Sequence, residues 1–299
     1  MFDTKLCKGI HRPFYNSLGA IVTATLVAVV STAPHARETA EAASDTATQS
    51  NAINSVLNPV DTAAMQSSTP PAKELLWKRA IDRDDIKSLR SLLDKVDVKL
   101  TNDKGKTALM AAVKAGQHNL VKKLLEHGLG LNDRSLTGGT SLMYAALGKQ
   151  NSMISYLLDA NRESSHYQSF VDAQSTNGWT AVMIAAAKGF DGVVKQLVLE
   201  GNADVWRADA YQWTPLMRAI DNRHQSVIDY MLGLDQPVLD AVNENGATAL
   251  HVAVEKGDAY TVSLLIERGI NTDIRDNVGR TALDIAVDRN DSPIAELLK

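Results

Sequence analysis

Six threonines stand at nearly even intervals through the chain: Thr107, Thr140, Thr180, Thr214, Thr248 and Thr281, separated by 33, 40, 34, 34 and 33 residues. Five places after each comes an alanine, at Ala112, Ala145, Ala185, Ala219, Ala253 and Ala286. This register is the mark of stacked small units, each too short to bury its own apolar side and so covering its neighbour's. A length of 299 residues alone would suggest one or two domains around central cores. The period replaces that expectation with one continuous core running along an array.

The rest of each unit obeys the same register. A glycine stands two places before the threonine at Gly105, Gly138, Gly178, Gly246 and Gly279, and only Gln212 departs. Asn177-Gly178 and Asn245-Gly246 are turn dipeptides that tolerate positive φ, as a tight tip requires. The threonine hydroxyl can then cap a first helix, and Pro215 follows Thr214 at the first helical position, where a missing N–H costs least. Leu109, Leu142, Val182, Leu216, Leu250 and Leu283 point into the stack, while the small alanine lets neighbouring helices approach. A second helix carries Val121, Ile154, Val194, Ile228, Val262 or Ala295. One turn further on the same face come Leu124, Leu157, Leu197, Met231, Leu265 or Leu298. Gly128, Gly201 and Gly269 are placed to end three of these helices in a left-handed cap.

A worn first unit occupies Lys73 to Asp94, with Leu75, Leu76, Ala80, Ile86, Leu89, Leu92 and Leu93 as its apolar set. It lacks the threonine, and its charged side (Lys78, Arg79, Asp82, Arg83, Asp84) suits a terminal unit that shows water one face. Asp284, Asp288, Arg289, Asn290 and Asp291 make the last unit the matching cap.

These residues resemble ankyrin repeats over 73–299, with units starting near 73, 103, 136, 176, 210, 244 and 277. The fold implied is an all-α ankyrin-repeat solenoid of about seven helix-turn-helix units with β-hairpin or loop tips. The departures are specific. Met110, Met143, Met183 and Met217 replace the family's histidine as core filler, and only His251 keeps it. Lys149, Arg223 and Asn290 replace a mid-repeat glycine, and seven extra residues lie around 161–170. Insertions in such arrays map to loops on one face, sometimes the binding face.

Ahead of the array, Lys5, Lys8 and Arg12 precede an apolar run from Leu18 to Val30 and then Ser31, Thr32 and Ala33, the order of a secretory signal. Residues 1–36 are therefore expected to be a signal peptide or a signal anchor. The run is short for a bilayer span, and Pro34 is unfavourable for cleavage. Residues 37–72, rich in Ala, Ser, Thr, Asn and Gln, read as a disordered spacer. The expected location is the periplasm, or the inner membrane facing it, with membrane contact only through an uncleaved leader. An alternative is a secreted effector whose array engages host proteins.

Composition narrows the chemistry. A net charge of −4 and a pI near 6.0 give no basic stripe for nucleic acid. The one cysteine, Cys7, lies outside the repeats, so the array has no disulfide, thiol nucleophile or thiolate metal site. No phosphate-binding glycine loop, HExxH or nucleophile elbow is present. His118 and His127 fall on opposite faces of one helix and cannot share a metal. No catalytic residue, cofactor or metal is expected, and the chain is read as a non-enzymatic module acting as a monomer on a protein partner whose identity the sequence does not give.

The resemblance implies a binding surface made of the tips and the inner face of the first helices. By position this surface takes in Lys104, Lys106, Lys114, Arg134, Lys188, Asp221, Asn222, Glu244, Glu255 and Arg280. At its centre stand Trp179, Tyr211 and Trp213 on adjacent tips, side chains that dominate binding hot spots. The competing reading is that these rings pack on neighbouring tips and stiffen the array. The basic character of the amino-terminal tips suits a partner with an acidic edge there.

Overall fold

The computed structural model describes residues 72–235 and 238–299. The expected signal and nearly all of the spacer lie outside the described residues. The described chain is built from helix pairs in sequence: α1 (Ala72–Asp82) and α2 (Ile86–Leu92), α3 (Ala108–Lys114) and α4 (His118–Glu126), α5 (Ser141–Leu147) and α6 (Asn151–Asn161). A short helix α7 (Tyr167–Val171) interrupts, followed by α8 (Ala181–Lys188) and α9 (Asp191–Leu199), then α10 (Pro215–Asp221) and α11 (Gln225–Leu232). The series ends with α12 (Ala249–Lys256) and α13 (Ala259–Glu267), α14 (Ala282–Asp288) and α15 (Ser292–Leu297). There is no strand among the described residues.

Most of these helices are two or three turns long, too short to persist alone in water. Packing holds them. First helices lie against first helices from α3 to α14, and second helices against second helices from α6 to α15. The six register alanines are fully enclosed at that contact, as are Val121, Ile154, Val194, Ile228 and Val262 one layer behind. Met110, Met143, Met183 and Met217 fill the gaps as expected. Burying a side chain of this size contributes roughly 1.5–3 kcal/mol, so each interface outweighs the weak propensity of its helices.

Every register threonine caps its helix. The hydroxyl accepts from the backbone N–H of the third following residue, Met110, Met143, Met183, Met217, His251 and Asp284 in turn, at 3.1–3.5 Å. His251 links two units: its Nδ1 lies 2.9 Å from Thr248 Oγ1, and its Nε2 lies 3.1 Å from the Arg280 carbonyl of the next tip.

Left-handed backbone persists where glycine does not. Gln212 has φ 59° at the tip, and Asp84, Lys149, Arg223 and Asn290 have φ 53–58° at the mid-repeat turn occupied elsewhere by Gly116, Gly189 and Gly257. Packing of the repeat imposes this conformation, and the side chain bears the strain.

Three expectations are corrected. Gly201 is not left-handed; Asn202 takes that role at φ 53°. Helix α9 runs on to a cap at Glu200, which shifts the turn by one residue. Leu75 and Leu76 are exposed, and Trp77 is the residue that seats α1, its indole N–H donating to the Leu100 carbonyl at 3.1 Å. Asp84, expected on a charged side turned to water, instead pairs with both Lys106 and Lys114.

Candidate protein-binding surface

The tips share one construction whose key residue the register analysis overlooks. Five places before each threonine stands a small polar residue: Asn102, Ser135, Ser175, Asp209, Asn243 and Asp276. Its backbone N–H donates to the carbonyl four residues on, closing the loop at 2.9–3.1 Å in all six tips. Its side-chain oxygen accepts the N–H of that same fourth residue at 2.8–3.0 Å, an Asx or Ser turn. The signal was a constant offset of Asn, Asp or Ser, recognisable once a tip closed without a strand ladder is considered.

Neighbouring tips are then laced by one backbone bond each: Leu136 N–H to Lys104 O, Thr176 to Thr137, Ala210 to Asn177, Glu244 to Tyr211 and Asn277 to Asn245, at 2.9–3.0 Å. Arg134 adds a cross-link, donating to the carbonyls of Gly138 and Gln174, and Gln174 repeats the pattern toward Gly178 and Ala208. The result is a row of loops held at fixed spacing beside the ends of the first helices, a surface pre-organised for a ligand that spans several units.

The residues singled out from the sequence separate into two groups on this surface. Tyr211, Lys104, Lys188, Glu244 and Glu255 are exposed, and Trp213 and Asn222 are half-buried. The others serve the array itself. Trp179 is 1% exposed and unavailable to a partner, so for this ring the packing reading holds. Lys106 is also buried, its ammonium bound to Asp84 and the Ile81 carbonyl and lying 5.4 Å from the Tyr144 ring centroid. Burial pulls the Lys106 ammonium below the usual lysine range, while Asp84 opposes that drop. Lys114 donates to the same Asp84 at 2.8 Å, so the basic edge expected at the amino-terminal tips is partly consumed in fastening the first unit. Asp221 pairs with Lys256 at 2.6 Å, Arg280 grips Asp276 through Nε and Nη2, and Arg134 is exposed but spends its donors on carbonyls.

The residue missed at the centre is Arg218 on α10. Its guanidinium carbon lies 4.5 Å from the Trp213 ring centroid and 5.1 Å from that of Trp179, so it is flanked by both indoles. Its Nη2 pairs with Asp209, whose side chain is wholly enclosed. Trp179 is buried because Arg218 and the next tip cover it, a relation between units that no single unit's pattern reveals.

The extra residues around 161–170 complete α6 at Asn161, turn through 162–166 and enter α7. Phe170 and Val171 are buried, Tyr167 donates to the Glu200 carbonyl at 3.2 Å, and Gln168 donates to the Asn202 carbonyl at 3.0 Å. The insertion thus braces the end of α9. A shallow hollow of about 230 Å³ beside it is lined by residues including Asn132, Arg134, His166 and Phe170. Among the described residues no three His, Cys, Asp or Glu side chains converge as metal ligands, and no helix is long and apolar enough to cross a membrane.

Comparison with known proteins gives the same architecture. The profile of ankyrin repeats in three copies matches residues 77–169, 164–241 and 233–299. Alpha-latrotoxin-Lg1a of Latrodectus geometricus is 32% identical over 131 residues, 43% of this chain but 10% of the toxin. The ankyrin repeat protein YahD of Escherichia coli (strain K12) is 25% identical over 228 residues, 76% of this chain and 94% of that protein. The ankyrin repeat domain of Bcl-3, 22% identical, superposes with a TM-score of 0.61 over 77% of this chain and 98% of its own.

Proposed function

Because the chain belongs to the ankyrin-repeat family, a family of protein-interaction modules, we propose that it is a non-enzymatic binder. In this reading it grips a protein partner across the tips and first-helix ends of its central units. The observation that carries this reading is the pairing of a laced row of tips with exposed aromatic area: Tyr211 is 46% exposed on a loop whose neighbours fix it from both sides. A ring held in place loses little entropy on binding, which is what makes such residues strong contacts. Trp213, anchored on Arg218, extends the patch. The test is a Tyr211→Ala plus Trp213→Ala double variant, chosen to leave the buried Trp179 intact. It should keep the helical spectrum of the parent and lose its co-purified partner. Undiminished capture would reject the patch.

We further propose export to the periplasm, on the strength of Lys5, Lys8 and Arg12 before the Leu18–Val30 run. A repeat array free of cysteine suits an oxidising compartment. Alkaline phosphatase fused after residue 72 should be active in a bacterial host; an inactive fusion that is nevertheless made in full would refute export.

A further inference from the structure

Arg218 is more than a strut. Its guanidinium carbon lies 4.5 Å from the Trp213 ring centroid and 5.1 Å from that of Trp179, so cation–π contact with two indoles holds the group in place. Nη2 donates to Asp209, Nε has no acceptor, and the indole N–H of Trp179, in a ring 1% exposed, has none either. Both of these donors are enclosed and out of a partner's direct reach; what they show is a guanidinium whose hydrogen-bonding capacity Asp209 leaves partly unused. The side chain of Arg218 is 12% exposed, so the cluster reaches the surface at the centre of the partner-binding face.

The surrounding charge has the same bias. Lys188, the last residue of α8, and Lys149, two residues past the end of α5, are both exposed, and Arg223 lies beyond α10. The carboxylates among them are engaged: Asp209 by Arg218 and Asp221 by Lys256. Exposed Glu244 and Glu255 belong to the next unit, on the carboxyl-terminal side.

We propose that the occupant of this face is an acidic protein segment, one of whose carboxylates is received by Arg218. Its remaining acidic residues would lie over Lys188 and Lys149, away from Glu244 and Glu255. Asp209 is the internal competitor: it holds Arg218 in place and must share the guanidinium when the ligand carboxylate arrives. The inference rests on the reading above, in which the tips and first-helix ends form the binding face, and specifies its partner.

The experiment uses the full chain and short acetylated peptides of alternating alanine with glutamate, glutamine or lysine, followed by NMR at the indole and tyrosine signals at low salt. The glutamate peptide should shift Trp213 and Tyr211, and the other two should not. Arg218→Lys should weaken binding roughly tenfold, since charge is kept but the planar fork is lost. Asp209→Asn should tighten it by a similar factor of about ten, because the competing charge is gone. That variant should also fold, as Asn102 and Asn243 make the same two tip bonds at the equivalent position. Equal binding by the parent, Arg218→Lys and Asp209→Asn, or no binding of the glutamate peptide, would overturn the proposal. Preference for the lysine peptide at the same signals would overturn it while leaving the face of tips and first-helix ends in place. Shifts confined to the second helices would sink both readings.

Discussion

Gly178 and Gly279 occupy the same place in their tips, with φ 81° and 87°, yet their surroundings differ. A Cβ on Gly178 would meet the backbone N of Ala210 at 2.5 Å, because the following tip is laced against it; at Gly279 nothing lies within 4 Å. Alanine at 279 should therefore cost only the left-handed penalty, about 1 kcal/mol. Alanine at 178 adds a backbone collision and should cost more than about 3 kcal/mol. Urea denaturation of the two variants checks this, and equal losses would mean that the tips are not in contact. Arg218 follows the same logic in reverse: a residue that looks like one more surface cation in the sequence is enclosed through what the neighbouring units bring to it.

At the scale of the element, caps and turns were largely legible and the allocation of side chains was not. The threonine caps, the register alanines and the methionine filler follow from local pattern, since one unit's sequence decides them. The turn-forming residues Asn102, Ser135, Ser175, Asp209, Asn243 and Asp276 were legible in principle, as a fixed offset. Burial of Trp179 and Lys106 was not, because each is covered by a different unit. The last unit carries a charge device of its own. Asp276 sits below its ordinary carboxylate range: burial pushes it up, but the N–H groups of Arg280 and Val278 and the Arg280 guanidinium outweigh that. Asp284 is lowered by the backbone N–H and hydroxyl of Thr281. Groups depressed in the folded state contribute stability above their unfolded value, near 3.8–3.9, that is lost as pH falls through the folded value. Hydrogen exchange at stepped pH should show α14 and its tip losing protection below about pH 4 before α8 and α10 do. Simultaneous loss in all of them would contradict this.

On the scale of the whole described array, stability is a sum over units and their interfaces, and each unit depends on its neighbours. That arrangement explains how one short motif can build a surface several units long without a central core. It also explains why strain is tolerated: Gln212, Lys149, Arg223 and Asn290 take left-handed backbone because the helices and tips packed around them over-determine it. The fold class was readable from the period, whereas the cluster around Arg218 was not, since α10, the third tip and the fourth tip make it together.

Whether the tips hold the partner is decided by placing a photo-crosslinking residue at Tyr211, and separately at Lys122 on the exposed side of α4, in cells that make the full chain. One covalent protein adduct is expected through position 211 and none through position 122. Adducts through position 122 alone would show that the partner is held by the second helices and that the row of tips is not the binding surface.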